Sequence, residues 1–161
     1  MTKITSDYLS YIFRNTTDRV PVLAESKHCE DYLKILLLRY PDKFTYYIEV
    51  HDEVADAEIF PFLIQVYVEN AAKQALMADE KMLISVTVYP EDRDDEKYVN
   101  IFISDTGKGF PDEILCKLQN GQNISDNYGD QGEIHFSNSP LGGAVVDIHV
   151  PYKIGRSDTQ E

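Results

Sequence analysis

Two runs of strict alternation constrain this chain more than any other feature. Ile84, Val86 and Val88 recur at every second residue of Met82–Tyr89, and Val99, Ile101 and Ile103 do so in Tyr98–Ser104. A period of two is the mark of a strand with one buried face. The residues between the runs, EDRDDEK at 91–97, are all charged and predict a solvated hairpin loop with no role beyond solubility. The pair is therefore expected to be adjacent and antiparallel, with an apolar face that something else must cover.

Two amphipathic helices supply the cover. The first is expected over 25–40, where Tyr32, Leu33, Ile35, Leu36, Leu37 and Leu38 form a wide apolar face and Pro41-Asp42 ends it. The second is expected over 61–77, with Pro61 at or near the first helical position, where a missing N–H is harmless. Its apolar residues Leu63, Ile64, Tyr67, Val68, Ala71, Ala72 and Ala75 recur at three- and four-residue steps. Further strands are expected at Val20–Leu23 (an edge, since it holds Pro21), Phe44–Val50, Gly132–Phe136 and Ala144–Val150. Short helices are expected at 7–14 and at Pro111–Leu118, with a turn at Ser137–Pro140. This irregular alternation around one hairpin predicts an α/β two-layer sandwich, a mixed sheet with helices on one face.

A net charge of −13, from 15 basic and 28 acidic residues, excludes a nucleic-acid binder, because no basic surface is left to neutralise phosphates. It would also repel a free nucleotide, so an acidic nucleotide binder needs a divalent cation and a few placed donors. No apolar run is long enough to span a membrane, and the residues MTKITSDYLSYIF lack the basic-then-apolar layout expected of a secretory leader. Cys29 and Cys116, far apart, read as reduced thiols packed as small hydrophobes.

The chemistry concentrates in two places. The polar face of the 61–77 helix carries Gln65, Glu69, Asn70, Lys73 and Gln74. Glu69 can orient or deprotonate a hydroxyl or water, Asn70 offers a carbonyl oxygen to a hard cation, and Lys73 can meet a phosphate. A solvated face with an i,i+4 Glu69–Lys73 pair is the plain alternative. The second place is Asp105-Thr106-Gly107-Lys108-Gly109-Phe110, directly after the Val99–Ser104 strand. A carboxylate at a strand end can accept from an exocyclic amine, while Gly107 and Gly109 let the backbone approach a flat ring and take positive φ. The alternative is a glycine turn capped by Asp105.

Together, E-N-A-x-K, a hairpin, then I-S-D-x-G-x-G-F resemble the N box and first glycine box of the GHKL ATPase superfamily. The wording I-F-P-F-L-I-Q-V-Y-V-E-N-A-A-K-Q resembles the autolysin-sensor (LytS/YesM-like) branch of sensor histidine kinases, which reads I-P-P-x-x-x-Q-P-L-V-E-N-A-x-K-H. V-L-A-E-S-K-H-C-E-D-Y-L-K-I-L-L-L-R-Y upstream and Gly142-Gly143 before a strand closing on Pro151 fit the same branch, so the resemblance covers 20–152. It implies a Bergerat-type ATP-binding catalytic domain over 20–152, a stub of the upstream dimerisation helix over 1–19 and a tail over 153–161. It further implies that Asp105 receives the adenine amino group, Gly107 and Gly109 seat the ring, Asn70 binds Mg²⁺ with Lys73 near the phosphates, and Glu69 is the catalytic acid/base or the orienter of a magnesium-bound water. The reaction implied is transfer of the ATP γ-phosphoryl group to a histidine, with a histidine-bearing dimerisation domain and a response regulator as partners, in the cytoplasm, beneath a membrane-anchored sensor.

The chain departs from that pattern in three respects. Gln74 stands where the branch has histidine, and Ala75 where it often has glycine. The second glycine box, a G-x-G-L turn opening a helix, is missing between Leu118 and Gly132, and with it the helix N-terminus that would hold the triphosphate. None of His28, His51, His135 and His149 has the setting of a phospho-accepting histidine; each reads as a surface or satisfied core residue. The missing lid favours a degenerate, non-catalytic binding module as the alternative function. An anti-sigma-factor-type serine kinase shares the boxes and is disfavoured by the wording upstream of them.

Overall fold

The computed structural model describes residues 19–121 and 132–153. The helix expected at 7–14, most of the stretch in which the lid turn is expected to be missing and most of the tail lie outside them. The described elements run β1 (Val20–Pro21), α1 (Val22–Arg39), β2 (Phe44–Val50), a short 3₁₀ turn (Asp52–Val54), β3 (Glu58–Ile59), α2 (Gln65–Met77), β4 (Met82–Arg93), β5 (Glu96–Asp105), α3 (Asp112–Gly121), β6 (Glu133–Asn138) and β7 (Ala144–Pro151). β2, β4, β5, β7 and β6 form one sheet in that spatial order; β1 and β3 make a separate two-stranded clip. Only β2 and β4 pair in parallel within the main sheet, and α2 is the crossover between them.

The fold is the expected α/β two-layer sandwich. Phe44, Ile84, Ile101 and Ile148, one from each of four strands, are buried together with Leu33 of α1 and Val68, Ala72 and Ala75 of α2. The alternate residues Ser85, Thr87 and Tyr89 lie on the opposite face, which no helix among the described residues covers, and are only half buried. Small residues on α2 (Ala71, Ala72, Ala75) let that helix lie close on the sheet, which sets the depth of the cleft described below.

Several boundaries differ from expectation for local reasons. Val22 and Leu23 open α1 and do not extend β1, with Pro21 in extended backbone at the cap. α2 begins at Gln65: Phe62 has φ 69°, outside the helical region, so Pro61 leads into a turn. Cys29 packs in the core as a small hydrophobe, but Cys116 is exposed on α3; neither is in a disulfide among the described residues.

The charged connector differs most. Glu91–Arg93 and Glu96–Lys97 belong to the strands, and only Asp94-Asp95 turn, both with positive φ (49° and 69°). The charges are held across the uncovered face of the sheet. His149, 7% exposed, meets Glu91 at 2.7 Å through Nδ1 and Asp147 at 3.2 Å through Nε2, while Arg93 bridges Glu91 and Glu133. His149 is thus a satisfied buried histidine, and the charge run does more than keep the chain soluble. Desolvation pushes the Glu91 carboxyl up, but hydrogen bonds from His149 and Arg93 outweigh it and hold it below the usual 4.5. His135 and Arg93 hold Glu133 below the same value. A depressed folded pKa gives stability that is present above the unfolded value and lost as pH falls through the folded one. Thermal unfolding should therefore show stability declining below about pH 4.5. Arg93→Ala should flatten that acid limb while costing about 1 kcal/mol or less at neutral pH, because the pairs are partly exposed. An acid limb identical in wild type and variant would show that this network carries no linkage.

Candidate functional site

A cleft of about 470 Å³ opens between α2, the C-terminal end of β5, α3 and β7. Asn70 and Gln74 come to it from α2, Asp105 from the end of β5, and Gly109 and Phe110 from the loop that follows. Its remaining walls are largely apolar, with Tyr67, Ile103, Leu118 and Val146 among them. Three of the sequence-derived candidates, Asn70, Asp105 and Gly109, are thus brought to one cavity. Gly107 lines an adjoining cavity of about 430 Å³, which shares Gln74 and Lys108 with the first. Glu69 and Lys73 line neither.

Asp105 is oriented by its own loop. Its Oδ1 accepts from the backbone N–H of Gly107 (2.8 Å) and of Ala144 (3.3 Å). Oδ2 has no protein donor among the described residues, and Asp105 lines the largely apolar cleft. The carboxylate is therefore both a turn cap and an acceptor with capacity to spare, so the two sequence readings are not exclusive. Thr106 continues the pairing of β4 with β5, its Oγ1 accepting from Leu83 N–H at 2.9 Å.

The two candidate glycines act differently. Gly109 has φ 82°, as expected of a glycine that lets the loop turn. A side chain there would also collide with Asn138. Gly107 has no positive φ; a Cβ on it would lie 2.9 Å from the Met82 methyl and 3.2 Å from Asp105 Oδ1, so space is what it supplies.

Asn138 was not legible as a site residue. Its Oδ1 accepts from Phe110 N–H (2.7 Å) and its Nδ2 donates to Phe110 C=O (2.9 Å), so it clamps the wall of the cleft to the end of β6. The partner is 28 residues away, and nothing local marks it. Phe110 and Tyr67 both meet Phe136 edge-on, at 6.1 and 5.7 Å between ring centroids, which fixes the apolar wall. Gly143 was noted only as part of a motif, yet its α-carbon lies directly against the backbone of Asp105 and Thr106.

On α2, Glu69 does not pair with Lys73. Gln65, 2% exposed, donates from Nε2 to Glu69 Oε2 at 3.0 Å, and Lys73 is left exposed to solvent. The start of the helix is held from α1: Glu25, 3% exposed, accepts from the N–H groups of Phe62 (2.7 Å), Ile64 (2.6 Å) and Gln65 (3.2 Å). Burial raises the Glu25 carboxyl above its usual range, against the pull of these three donors. No group of three or more His, Cys, Asp or Glu side chains able to hold a metal exists among the described residues. Asn70 alone can offer a metal little, which fits an ion that arrives already bound to phosphates and keeps several waters.

No protein-family model matches the sequence. Curated relatives do. The sensor protein LytS of Staphylococcus epidermidis is 32% identical over 90% of this chain and 26% of its own length. LytS of Streptococcus agalactiae is 30% identical over 95% of this chain and 29% of its own length. The chain spans about a quarter of the length of the curated relatives it matches. Among solved structures, the nucleotide-free catalytic domain of histidine kinase ThkA matches with a TM-score of 0.59 at 18% identity, over 83% of this chain and 94% of that one. ThkA in complex with the response regulator protein TrrA matches with a TM-score of 0.57 at 15% identity, over 94% and 48%. The chain is thus a homologue of the LytS sensor proteins over most of its own length, with the fold of a histidine kinase catalytic domain.

Proposed function

We propose that this chain binds ATP with Mg²⁺ in the Asn70–Asp105 cleft, as the catalytic domain of a two-component sensor kinase that phosphorylates a histidine on a dimerisation domain. The observation that carries the reading is Asp105: a carboxylate with one oxygen fixed by backbone donors, on the lining of a largely apolar cleft of about 470 Å³ that Asn70 also lines. In this assignment Asp105 accepts from the adenine amino group. Gly107 and Gly109 shape the edge of the cleft, and Asn70 turns its amide oxygen to the metal. Lys73, unpaired by Glu69, is available to the phosphates. Mg²⁺ supplies charge neutralisation at the phosphates. The imidazole nitrogen attacks the γ-phosphorus, the bond to the bridging oxygen breaks and ADP leaves; Glu69 takes the proton the imidazole gives up. A response regulator then draws the phosphoryl group from the histidine, a partnership supported by the solved ThkA–TrrA complex. No helix among the described residues is long and apolar enough to cross a membrane. The branch that the chain resembles implies a cytosolic domain of a membrane-anchored sensor.

The phosphate end of the site is reduced. The sequence carries no G-x-G-L turn between Leu118 and Gly132. The alignment with the Streptococcus agalactiae relative runs over 181 positions, more than this chain's 161 residues, so that relative carries residues with no counterpart here. Losing two or three amide–phosphate contacts forfeits roughly 3–5 kcal/mol. Calorimetry should therefore find weak ATP binding with little preference over adenosine, and no phosphoryl transfer by the chain alone. Asp105→Asn should weaken both ligands by about 1–3 kcal/mol, the loss of a charge-assisted hydrogen bond. Unchanged adenosine binding in that variant would overturn the adenine assignment. Micromolar, Mg²⁺-dependent ATP binding far above that of adenosine would show an intact phosphate site.

A further inference from the structure

Gln65 is a polar side chain in the core that the nucleotide assignment does not use. It is 2% exposed, lies one helical turn before Glu69 and donates to Glu69 Oε2 at 3.0 Å. Burying an amide is unfavourable unless it is bonded, and this one is spent on a carboxylate. Its own backbone is fixed in turn, because Gln65 N–H is one of the three donors on the buried Glu25 carboxylate. Glu69 would otherwise be a long, half-exposed side chain with several rotamers, free to swing toward Lys73 one turn on.

We propose that Gln65 is a positioning residue, whose side-chain amide fixes the Glu69 carboxylate beside Asn70 and outside the nucleotide cleft. The inference rests on the phosphoryl-transfer reading, in which Glu69 is the proton acceptor. Glu69 does not line the cleft. Burial first, and then the negative charge of Glu69, raise the Tyr32 hydroxyl above its usual range, which agrees with a carboxylate on the α1 side of the helix. The charged and titratable groups around it are Lys73 on its own helix, Cys29 and Tyr32 across on α1, and Glu25 at the helix start. A base held there does not reach for a water deep in the adenine slot. It serves an acceptor group brought to α2 from outside the cleft, on the Tyr32 side, as a histidine on a separate domain would be.

The test is made on this chain, with Gln65→Met, which keeps the volume and removes the donor, and Gln65→Glu, which keeps the length and repels the carboxylate. Three-bond NMR couplings should report one χ1 rotamer for Glu69 in the wild type and rotamer averaging in both variants. The stability lost in Gln65→Met should shrink at least about twofold when Glu69→Gln is already present, as coupled neighbours require. Adenosine affinity should stay within about twofold of wild type, since Gln65 does not line the cleft. A single Glu69 rotamer retained in both variants, or fully additive losses, overturns the proposal. Failure of the wild type to bind adenosine at all would strike the nucleotide reading separately, and the rotamer and coupling measurements tell the two failures apart.

Discussion

Gly143→Ala should destabilise this protein by about 2–5 kcal/mol, a large share of the total stability of a domain this size. Two effects add. Gly143 has φ 103°, where a side chain on an L-residue is strained by about 1–2 kcal/mol. Its Cβ would also overlap the Asp105 carbonyl oxygen and lie 2.7 Å from the carbonyl carbon and 3.1 Å from Thr106 Cα. All three obstacles are backbone, so nothing flexible can move aside, and overpacking of this kind costs about 1–3 kcal/mol. Gly142→Ala is the control. It shares the positive φ (105°) but meets only the Gly107 carbonyl oxygen at 3.8 Å, so it should lose the conformational part alone. Urea denaturation of the two variants separates the terms. Equal losses would show that the β6–β7 turn swings clear of Asp105 at little cost. Because the displaced backbone belongs to Asp105, Gly143→Ala should also weaken adenosine binding where Gly142→Ala does not.

Glu25→Ala should cost about 3 kcal/mol or more, by a different route. It removes one acceptor group and leaves three N–H donors, those of Phe62, Ile64 and Gln65, in a site from which water is excluded. Each buried donor without a partner costs about 1–3 kcal/mol. The carboxylate also holds Phe62 at φ 69°, a conformation that a bulky residue does not keep unaided. Glu25→Gln should fall between wild type and alanine, because its one amide oxygen cannot serve both the Phe62 side and the Ile64–Gln65 side. Chemical denaturation ranks the three proteins. A glutamine variant as stable as wild type would show that one acceptor atom suffices, and that the remaining donors find carbonyls or water.

The sheet was legible because each strand carries its own signal. Phe44–Val50 is a single run of β-branched and aromatic residues, and the alternation of Ile84, Val86 and Val88 fixes which face is buried. Asp105 and its glycines were legible because D-x-G-x-G at a strand end is a local pattern. What was hidden depends on partners distant in sequence. The start of α2 is set by Glu25, 40 residues before Gln65, so helix-start rules applied to Pro61 place it too early. The length of the β4–β5 hairpin was hidden for the same reason. Glu91 and Arg93 read as loop until His149 of β7 and Glu133 of β6 lie beside them. Asn138 and Gly143 matter through Phe110 and the Asp105 backbone, and no window along the chain contains either pair.

The junction at the head of α1 is also a mechanical joint. Val20 and Pro21 are laced to Ile59 and Glu58, Val22 N–H is tied to Ala57 C=O at 2.7 Å, and three residues later Glu25 grips the start of α2. These links are short, and they join both helices within two turns of the point where the described chain begins. A joint of this kind has little slack. A pull or twist applied to the chain at Val20 therefore meets hydrogen bonds to both helices before any free hinge. The second of those helices carries Asn70, so the entry of the chain is tied through one buried carboxylate to one wall of the cleft.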